Sequence, residues 1–260
     1  MGELRIAFAG DRDISVLVLS FLLEQGIKPQ ALLVSDGKNA SHAAELVKLC
    51  RHLPESLIMR GKAFRDTNNF MTLKNLSLDY IISIHFPYIM PESFLAIPKF
   101  GVLNLHPAYL PFNRGWHTPS WAILEDTPIG ATLHFMTSEV DGGDIVLQRQ
   151  LEMSPGDTAH SLYQRIKVLE FDVFKKAWPS ILSNTYQRSK QSLSAGSFHL
   201  KEELHKKEIQ RIDLTELIEA GKLIKKLRAL TTNQIDEAAY YEVDGKRFRI
   251  QVIISDTGSC

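Results

Sequence analysis

Four short apolar runs, LRIAFAG (4 to 10), QALLVS (30 to 35), DYIISI (79 to 84) and GVLNLH (101 to 106), punctuate the first half of the chain. A strand that is apolar on both faces must be covered on both, which is the condition of strands in a parallel sheet flanked by helices. The segments between the runs supply those helices. Val16, Leu19, Leu22 and Leu23 recur at helical spacing within Ser15 to Glu24, ahead of Gly26, and His42 to Arg51 and Phe64 to Leu76 are further helical segments. The pattern predicts an α/β fold with a mostly parallel sheet.

After Gly130 the period changes. ATLHFM and DIVLQRQL alternate apolar and polar residues around the pair Gly142 and Gly143, which predicts antiparallel strands. Asp157 is placed to cap a long helix from Thr158 to Trp178, with Leu162, Ile166, Leu169 and Val173 as its packing stripe. Residues 184 to 208 are polar and predict a linker, so the expected organisation is a main domain over 1–183, a linker over 184–208 and a small subdomain over 209–260. In that tail Asp213 and Glu216 have capping-box spacing ahead of Leu217, Leu223, Leu227 and Leu230. AYYEVDGKRFRIQVII then reads as a hairpin turning at Asp244 and Gly245.

Charge excludes some functions. Thirty basic residues balance thirty acidic ones, so no net field gathers nucleic acid or an anionic membrane. Glu3 and Arg5 interrupt what would be the apolar core of a signal peptide, and no run approaches a membrane span, so a cytoplasmic protein is expected. Cys50 and Cys260 are too few and too far apart for a disulfide framework or a thiolate metal site, and free thiols are expected.

The strand GVLNLH holds the first candidates. Val102, Asn104 and His106 fall on one face, and Pro107 ends the ladder because it has no amide hydrogen. Two polar side chains thus meet at a strand's C-terminal end, where open α/β sheets bind ligands. An amide and an imidazolium there can both donate to a developing oxyanion, while a neutral imidazole can take a proton. The plainer alternative is that His106 merely caps the strand end. Asp141, before the glycine pair, is a carboxylate able to orient His106, or simply part of an ordinary turn.

Asn104-Leu105-His106-Pro107, Leu110-Pro111 and Val140-Asp141-Gly142-Gly143-Asp144-Ile145, in this order, resemble the signature of the N10-formyltetrahydrofolate-dependent formyltransferase family over residues 4 to 180. The resemblance implies a Rossmann-like core, catalysis by Asn104, His106 and Asp141, and no metal. It also places the folate pteridine against Phe86, Pro87, Tyr88, Ile89, Asp141, Gly142 and Asp144. Aromatic packing is the alternative role for the 86 to 89 loop. Within the family, Asn113-Arg114-Gly115-Trp116-His117-Thr118-Pro119-Ser120-Trp121 and Leu227-Arg228-Ala229-Leu230-Thr231 are similar to dTDP-amino-sugar N-formyltransferases acting on a 3-amino or 4-amino dideoxyhexose.

Other branches fit less well. Glycinamide ribonucleotide transformylases lack the Asn113 to Trp116 sequence, and formyltetrahydrofolate hydrolases carry an extra N-terminal module. Methionyl-tRNA formyltransferases have a basic tail, whereas residues 201 to 260 hold eleven basic and eleven acidic side chains. The resemblance therefore implies a dTDP-sugar partner, a homodimer built partly from the tail, and a role in O-antigen synthesis. Gly10, Asp11 and Arg12, between the first strand and helix, together with Asn113, Arg114, Trp116 and His117, are the expected acceptor contacts, with Trp121 expected in the core. Arg12 has a second reading as a partner of Asp11 or Asp13. A non-catalytic folate or nucleotide-sugar binding protein is the alternative outside enzymes. A nicotinamide enzyme is disfavoured because no G-x-G-x-x-G follows the first strand.

Overall fold

The computed structural model describes residues 4–37 and 40–258. Cys260 and Glu3 lie outside them; Cys50 is a free, buried thiol. The first half alternates β1 (Ile6–Gly10), α1 (Arg12–Glu24), β2 (Ala31–Val34), α2 (Ala43–Leu49), β3 (Ile58–Arg60), α3 (Thr67–Asn75), β4 (Tyr80–Ile84), α4 (Glu92–Leu95) and β5 (Gly101–His106). Every residue of β1, β2 and β4 is buried, as their unbroken apolar character requires. β3 is not expected from the sequence: two buried residues, Ile58 and Met59, are too short a signal, and its place comes from pairing parallel to β2.

The chain continues through β6 (Arg114–Gly115), α5 (Thr118–Glu125), β7 (Ile129–Phe135), β8 (Ile145–Leu151), α6 (Ala159–Leu182), β9 (Phe198–His199), α7 (Lys207–Gln210), α8 (Ala220–Ala229), β10 (Ala239–Val243) and β11 (Lys246–Ile250). The main sheet has the order β3-β2-β1-β4-β5-β7-β8, parallel from β3 to β5 and antiparallel where β7 joins β5. The α/β architecture with a largely parallel sheet and a separate C-terminal hairpin is as expected.

Three local expectations are corrected. The cap of α6 is Thr158, whose hydroxyl accepts from Ser161 N while Ser161 Oγ accepts from Thr158 N; Asp157 instead takes Ser154 N and Ser161 Oγ–H. The helix also runs past Trp178 to Leu182 with Pro179 inside it. The missing Pro179 amide frees only the carbonyl one turn earlier, at exposed Lys175, where water can replace it. Finally, Asp213 and Glu216 form no capping box. Asp213 Oδ1 accepts from Thr215 N and Oγ1 in a local turn, a competing bond available to any Asp, and α8 begins only after Glu219.

By contacts the chain forms two units, one from residues up to His106, Thr132–Gln148 and Glu170–Gln191, the other from Pro107–Ala131, Arg149–Leu169 and Ser192 onward. The core of the first joins Ala7, Ala9, Ala31, Leu33, Ile81 and Val102 from the sheet to Phe64, Leu73, Met90 and Phe94. In the second, Trp121, Leu204, Leu230 and Ala239 form one cluster, and Ala122, Ile129, Leu162, Ile166 and Ala229 another. Trp121 is core, stacked on His199 at 4.0 Å and 4°. Residues 184–208, read from composition as a linker, carry β9 and buried His199 and Leu204, and Ser189 bridges Ile145. The hairpin turns at Asp244 (φ 49°) and Gly245 (φ 72°), both left-handed as a type I′ turn needs. No helix among the described residues is long and apolar enough to cross a membrane.

Candidate active site

Strand register assembles the reactive groups of the first unit. β5 and β7 pair antiparallel with Asn104 opposite His134 and His106 opposite Thr132, so these four side chains share one face. Val102, two residues before Asn104, is buried in the core on that same face and anchors it. The turn after β7 brings Asp141 to the same place. Its Oδ2 lies 3.6 Å from His106 Nε2 and its Oδ1 accepts from Asn104 Nδ2 at 3.3 Å. Structure thus gathers Asn104, His106 and Asp141, and His106 is buried at the strand end.

A fourth member, His134, was not anticipated. Its Nδ1 lies 2.9 Å from the Phe135 carbonyl, which can only accept, so Nδ1 carries the hydrogen and Nε2 presents a lone pair. Asn104 Nδ2 sits 3.1 Å from that lone pair. This contact fixes the amide orientation, because only the NH₂ edge can face an acceptor. Of the two Asn104 N–H bonds, the one to Asp141 is the longer and is the one available to turn toward a substrate oxygen. The signal for His134 was in the sequence: it sits in an alternating strand on the opposite parity to Leu133 and Phe135. Placing it needs the pairing partner, which parity alone does not supply.

The Asp141 turn is held from outside the motif. Asp141 has φ 50°, Gln191 Nε2 donates to the carbonyls of Asp141 (2.9 Å) and Gly143 (2.6 Å), and Phe135 N donates to the Asp144 carbonyl at 2.9 Å. Gln191 comes from the stretch read as a linker. The 86 to 89 loop is split in role. Phe86 and Tyr88 pack on the core, Phe86 against Phe64 with centroids 5.6 Å apart, and Tyr88 donates its hydroxyl to Asp36 Oδ1 at 2.6 Å. Ile89, next after them, is 75% exposed and offers an uncovered aliphatic side chain. His85, which opens the loop, is anchored 2.8 Å from Glu170, a fully buried carboxylate on α6.

The β1–α1 turn is tightly committed to structure. Gly10 is there because a Cβ would stand 2.8 Å from the Phe8 ring and 2.9 Å from Ser15. Asp11 is buried, and its Oδ1 accepts from Ser41 N, Ser41 Oγ and His42 N. Burial alone would raise the Asp11 carboxyl, but the backbone amides of His42, Ser41 and Arg12 outweigh it and hold it below the usual carboxylate range. Arg12 approaches Asp11 only to 3.9 Å and its side chain is half exposed, at φ 69°.

The remaining expected contacts lie in the second unit. Asn113 is fully buried and structural: its amide donates to Thr127 Oγ1 and the Pro128 carbonyl, and its backbone N to Ser197 Oγ. Arg114 lies over the Phe198 ring at 5.7 Å, and exposed Trp116 carries the Lys201 ammonium 4.9 Å above its face. His117 turns to the Lys201 carbonyl (3.1 Å) and to Glu237 (3.5 Å). Burial pulls its ring below the ordinary histidine range, more than Glu237 and that carbonyl raise it.

What the first unit can do follows from these distances. An N–H of Asn104 and a protonated His106 can both donate to an oxygen that gains charge, and the Asp141 carboxylate can accept a proton within the same cluster. None of Asn104, His106 and Asp141 carries a hydroxyl or thiol, and the Thr132 side chain opposite His106 is fully buried, which favours direct transfer over a covalent intermediate on the chain.

Comparison with known proteins agrees in class. Residues 21–178 match the formyl transferase family, and residues 206–256 match the N-formyltransferase dimerization C-terminal domain. A dTDP-4-amino-4,6-dideoxyglucose formyltransferase of Mycobacterium bovis is 26% identical over 176 residues, 68% of this chain and 73% of its own. A methionyl-tRNA formyltransferase of Geobacter sulfurreducens is 26% identical over 265 residues, 99% of this chain and 81% of its own. Among solved structures, a 4-N formyltransferase from Francisella tularensis superposes with a TM-score of 0.82 at 22% identity, covering 98% of this chain and 100% of its own. An N-formyltransferase from Helicobacter canadensis in complex with folinic acid and dTDP-3-aminofucose gives 0.65 at 20% identity, over 94% and 85%. Likeness at such identities is a likeness of fold. The family match, by contrast, spans more than half of the sequence and takes in Asn104, His106, His134 and Asp141, so the chain belongs to the formyl transferase family.

Proposed function

We propose that this formyl transferase moves the formyl group of N10-formyltetrahydrofolate to the amine of a dTDP-linked amino-dideoxyhexose. The observation that carries the chemistry is the convergence of Asn104 and His106 on Asp141, whose carboxylate oxygens lie 3.3 Å from Asn104 Nδ2 and 3.6 Å from His106 Nε2. The folate donor supplies an activated formyl carbon. As the acceptor amine adds to it, Asn104 and protonated His106 steady the oxygen and Asp141 accepts the amine's proton directly or through water; the formyl carbon–N10 bond then breaks, N10 takes up a proton from the same cluster, and tetrahydrofolate leaves. Ile89, exposed beside the anchored Phe86 and Tyr88, suits the flat apolar face of a pteridine, and Gly142 and Asp144 border the turn that carries Asp141.

The choice of acceptor rests on different support. The tail matches an N-formyltransferase dimerization domain at residues 206–256, a dTDP-sugar formyltransferase is among the relatives, and the charge-balanced tail lacks the cationic excess a tRNA requires. Arg114 and Trp116 are the proposed contacts to the diphosphate and sugar. A second reading, methionyl-tRNA as acceptor, is favoured by the relative that spans 99% of this chain. A mass-spectrometric assay with N10-formyltetrahydrofolate and a panel of 3-amino and 4-amino dTDP-dideoxyhexoses, alongside methionyl-tRNA, decides between them. Formylated sugar with no formylmethionyl-tRNA is the expected outcome, and the reverse sinks the proposal; the panel also reads out the C3 or C4 position.

The tail is read as the homodimer surface. Val243 and Phe248 of the hairpin and Ile253 after it are exposed, Ile253 by 96%, and Phe248 stacks on Tyr241 at 5.4 Å in a two-stranded unit that is marginal without further cover. A two-fold interface would cover the same patch on both subunits. Sedimentation equilibrium at micromolar concentration is expected to give a dimer for the full chain and a shift toward monomer for Phe248→Asp. A monomeric full chain would remove the tail from this role.

A further inference from the structure

Three side chains from three separate stretches of the second unit converge. His117 precedes α5, His205 ends the turn Glu203–His205, and Glu237 ends the turn Ile235–Glu237. One nitrogen of each ring and one carboxylate oxygen lie within 4.8 Å of one another. The His117 and His205 rings stand edge to face, 5.9 Å apart at 83°, rather than stacked flat.

Hydrogen bonding gives the cluster its meaning. His117 Nε2 is 3.1 Å from the Lys201 carbonyl, which only accepts, so Nε2 carries a hydrogen. In the neutral ring Nδ1 is then a lone pair, and it faces a Glu237 carboxylate oxygen at 3.5 Å. Two acceptors turned toward each other repel unless a proton or a metal ion lies between them, and this pair, with the His205 ring beside it, is open to either. A ring that donates one N–H to a backbone carbonyl while presenting the other nitrogen to an acidic partner has the outer-shell arrangement of a metal-binding histidine.

We propose that His117 Nδ1, His205 and Glu237 form a binding site for a divalent transition-metal ion of the zinc class, with water completing the coordination. Two imidazoles and one carboxylate are a borderline-soft donor set, matched to Zn²⁺ rather than to Mg²⁺ or Ca²⁺, which take oxygen ligands. Closing to metal–ligand distances of about 2.0–2.2 Å asks for a small inward movement. The exposed His205 ring can supply it. The opposing charge is Lys201, whose ammonium is drawn over the Trp116 ring at 4.9 Å. The ion would tie the 113–118 stretch, which carries Arg114 and Trp116, to two stretches distant in sequence, and closing such long loops stabilises the folded chain. Its role is structural, and no step of formyl transfer passes through it.

The rival account places a proton on Nδ1 and a plain His117–Glu237 ion pair. Calorimetric titration of EDTA-treated, re-dialysed full-length protein with ZnCl₂, and with MgCl₂ as comparison, separates the two. Expected is one Zn²⁺ per chain, a rise in melting temperature on adding it, and no Mg²⁺ response. His205→Ala and the near-isosteric Glu237→Gln should each weaken Zn²⁺ binding by more than the roughly 10–100-fold that losing an outer-shell partner costs. Circular dichroism of the metal-free variants checks that they fold. Because nine histidines offer scattered weak sites, Zn²⁺ uptake equal in wild type and both variants would overturn the proposal, as would no uptake at all.

Discussion

Asn104→Ala, His106→Ala and Asp141→Ala are each expected to lower kcat by about a hundredfold or more, which is the usual cost of removing one preorganised donor from a developing oxyanion. KM should change little for Asn104→Ala, because its N–H bond turns to the substrate oxygen only as charge appears there. In the resting site that bond is the 3.3 Å contact to Asp141, long enough to release at small cost. The folded state should survive, since Asn104 and Asp141 are only partly buried and no apolar core side chain is lost. Single-turnover kinetics with a formyl donor and the preferred acceptor, beside a thermal melt, makes the check. Near-normal turnover in any one variant would strike that residue from the mechanism. His134→Ala tests the same picture one step removed. With its lone pair gone, the Asn104 amide loses the contact that orients it, so kcat should fall less than for Asn104→Ala, and His134→Gln should restore part of it by offering an acceptor again.

The legible and illegible parts of the fold divide along the range of the interactions involved. The buried strands β1, β2 and β4 were readable because burial on both faces leaves a nearly continuous apolar run. The hairpin was readable because Asp244-Gly245 has few other conformations to adopt. Asn104 and His106 were readable as a pair because a strand's period places them on one side. What could not be read depends on partners far along the chain. β3 exists because β2 offers it an edge, and Glu170 can be buried on α6 because His85 meets it. Gln191 serves the Asp141 turn across 50 residues of sequence.

Polarity near a strand end has two possible uses. Asn113 and Asp11 belong to segments with the look of ligand sites, and both are fully buried, with the Asn113 amide and Asp11 Oδ1 turned to the protein's own backbone and hydroxyls. A polar residue in a loop near a strand end can serve the loop itself, and the sequence does not distinguish the two uses. The segment around His117 shows the converse. Its aromatic and basic character suggested a sugar contact; the ring itself is engaged with Lys201 and Glu237, and Trp116 is the exposed aromatic of the stretch, beside partly buried Arg114.

Gly143→Ala should be among the most damaging single-methyl changes available in the chain. A Cβ at position 143 would lie 1.9 Å from the Phe135 carbonyl oxygen and 2.8 Å from its carbon, both backbone atoms of β7 that no rotamer change can move aside. The turn itself must shift, and with it go the Phe135 N to Asp144 carbonyl bond and the two bonds from Gln191 that hold the Asp141 and Gly143 carbonyls. Overpacking of this kind costs about 1–3 kcal/mol of stability. The larger effect is on turnover, because a displacement of about 1 Å of a catalytic group can cost about a hundredfold. Asp141 sits two residues before the clash, at a left-handed φ of 50° that only the surrounding turn maintains. Gly221→Ala is the matched control: a Cβ there meets no heavy atom within 4 Å, and in α8 the change should stabilise by about 0.5–1 kcal/mol with kcat unaltered. The measurement is kcat and melting temperature for both variants side by side. If Gly143→Ala matched the control, the close approach of the Asp141 turn to β7 would not be what positions the carboxylate, and the second glycine of D-G-G would revert to an ordinary turn residue.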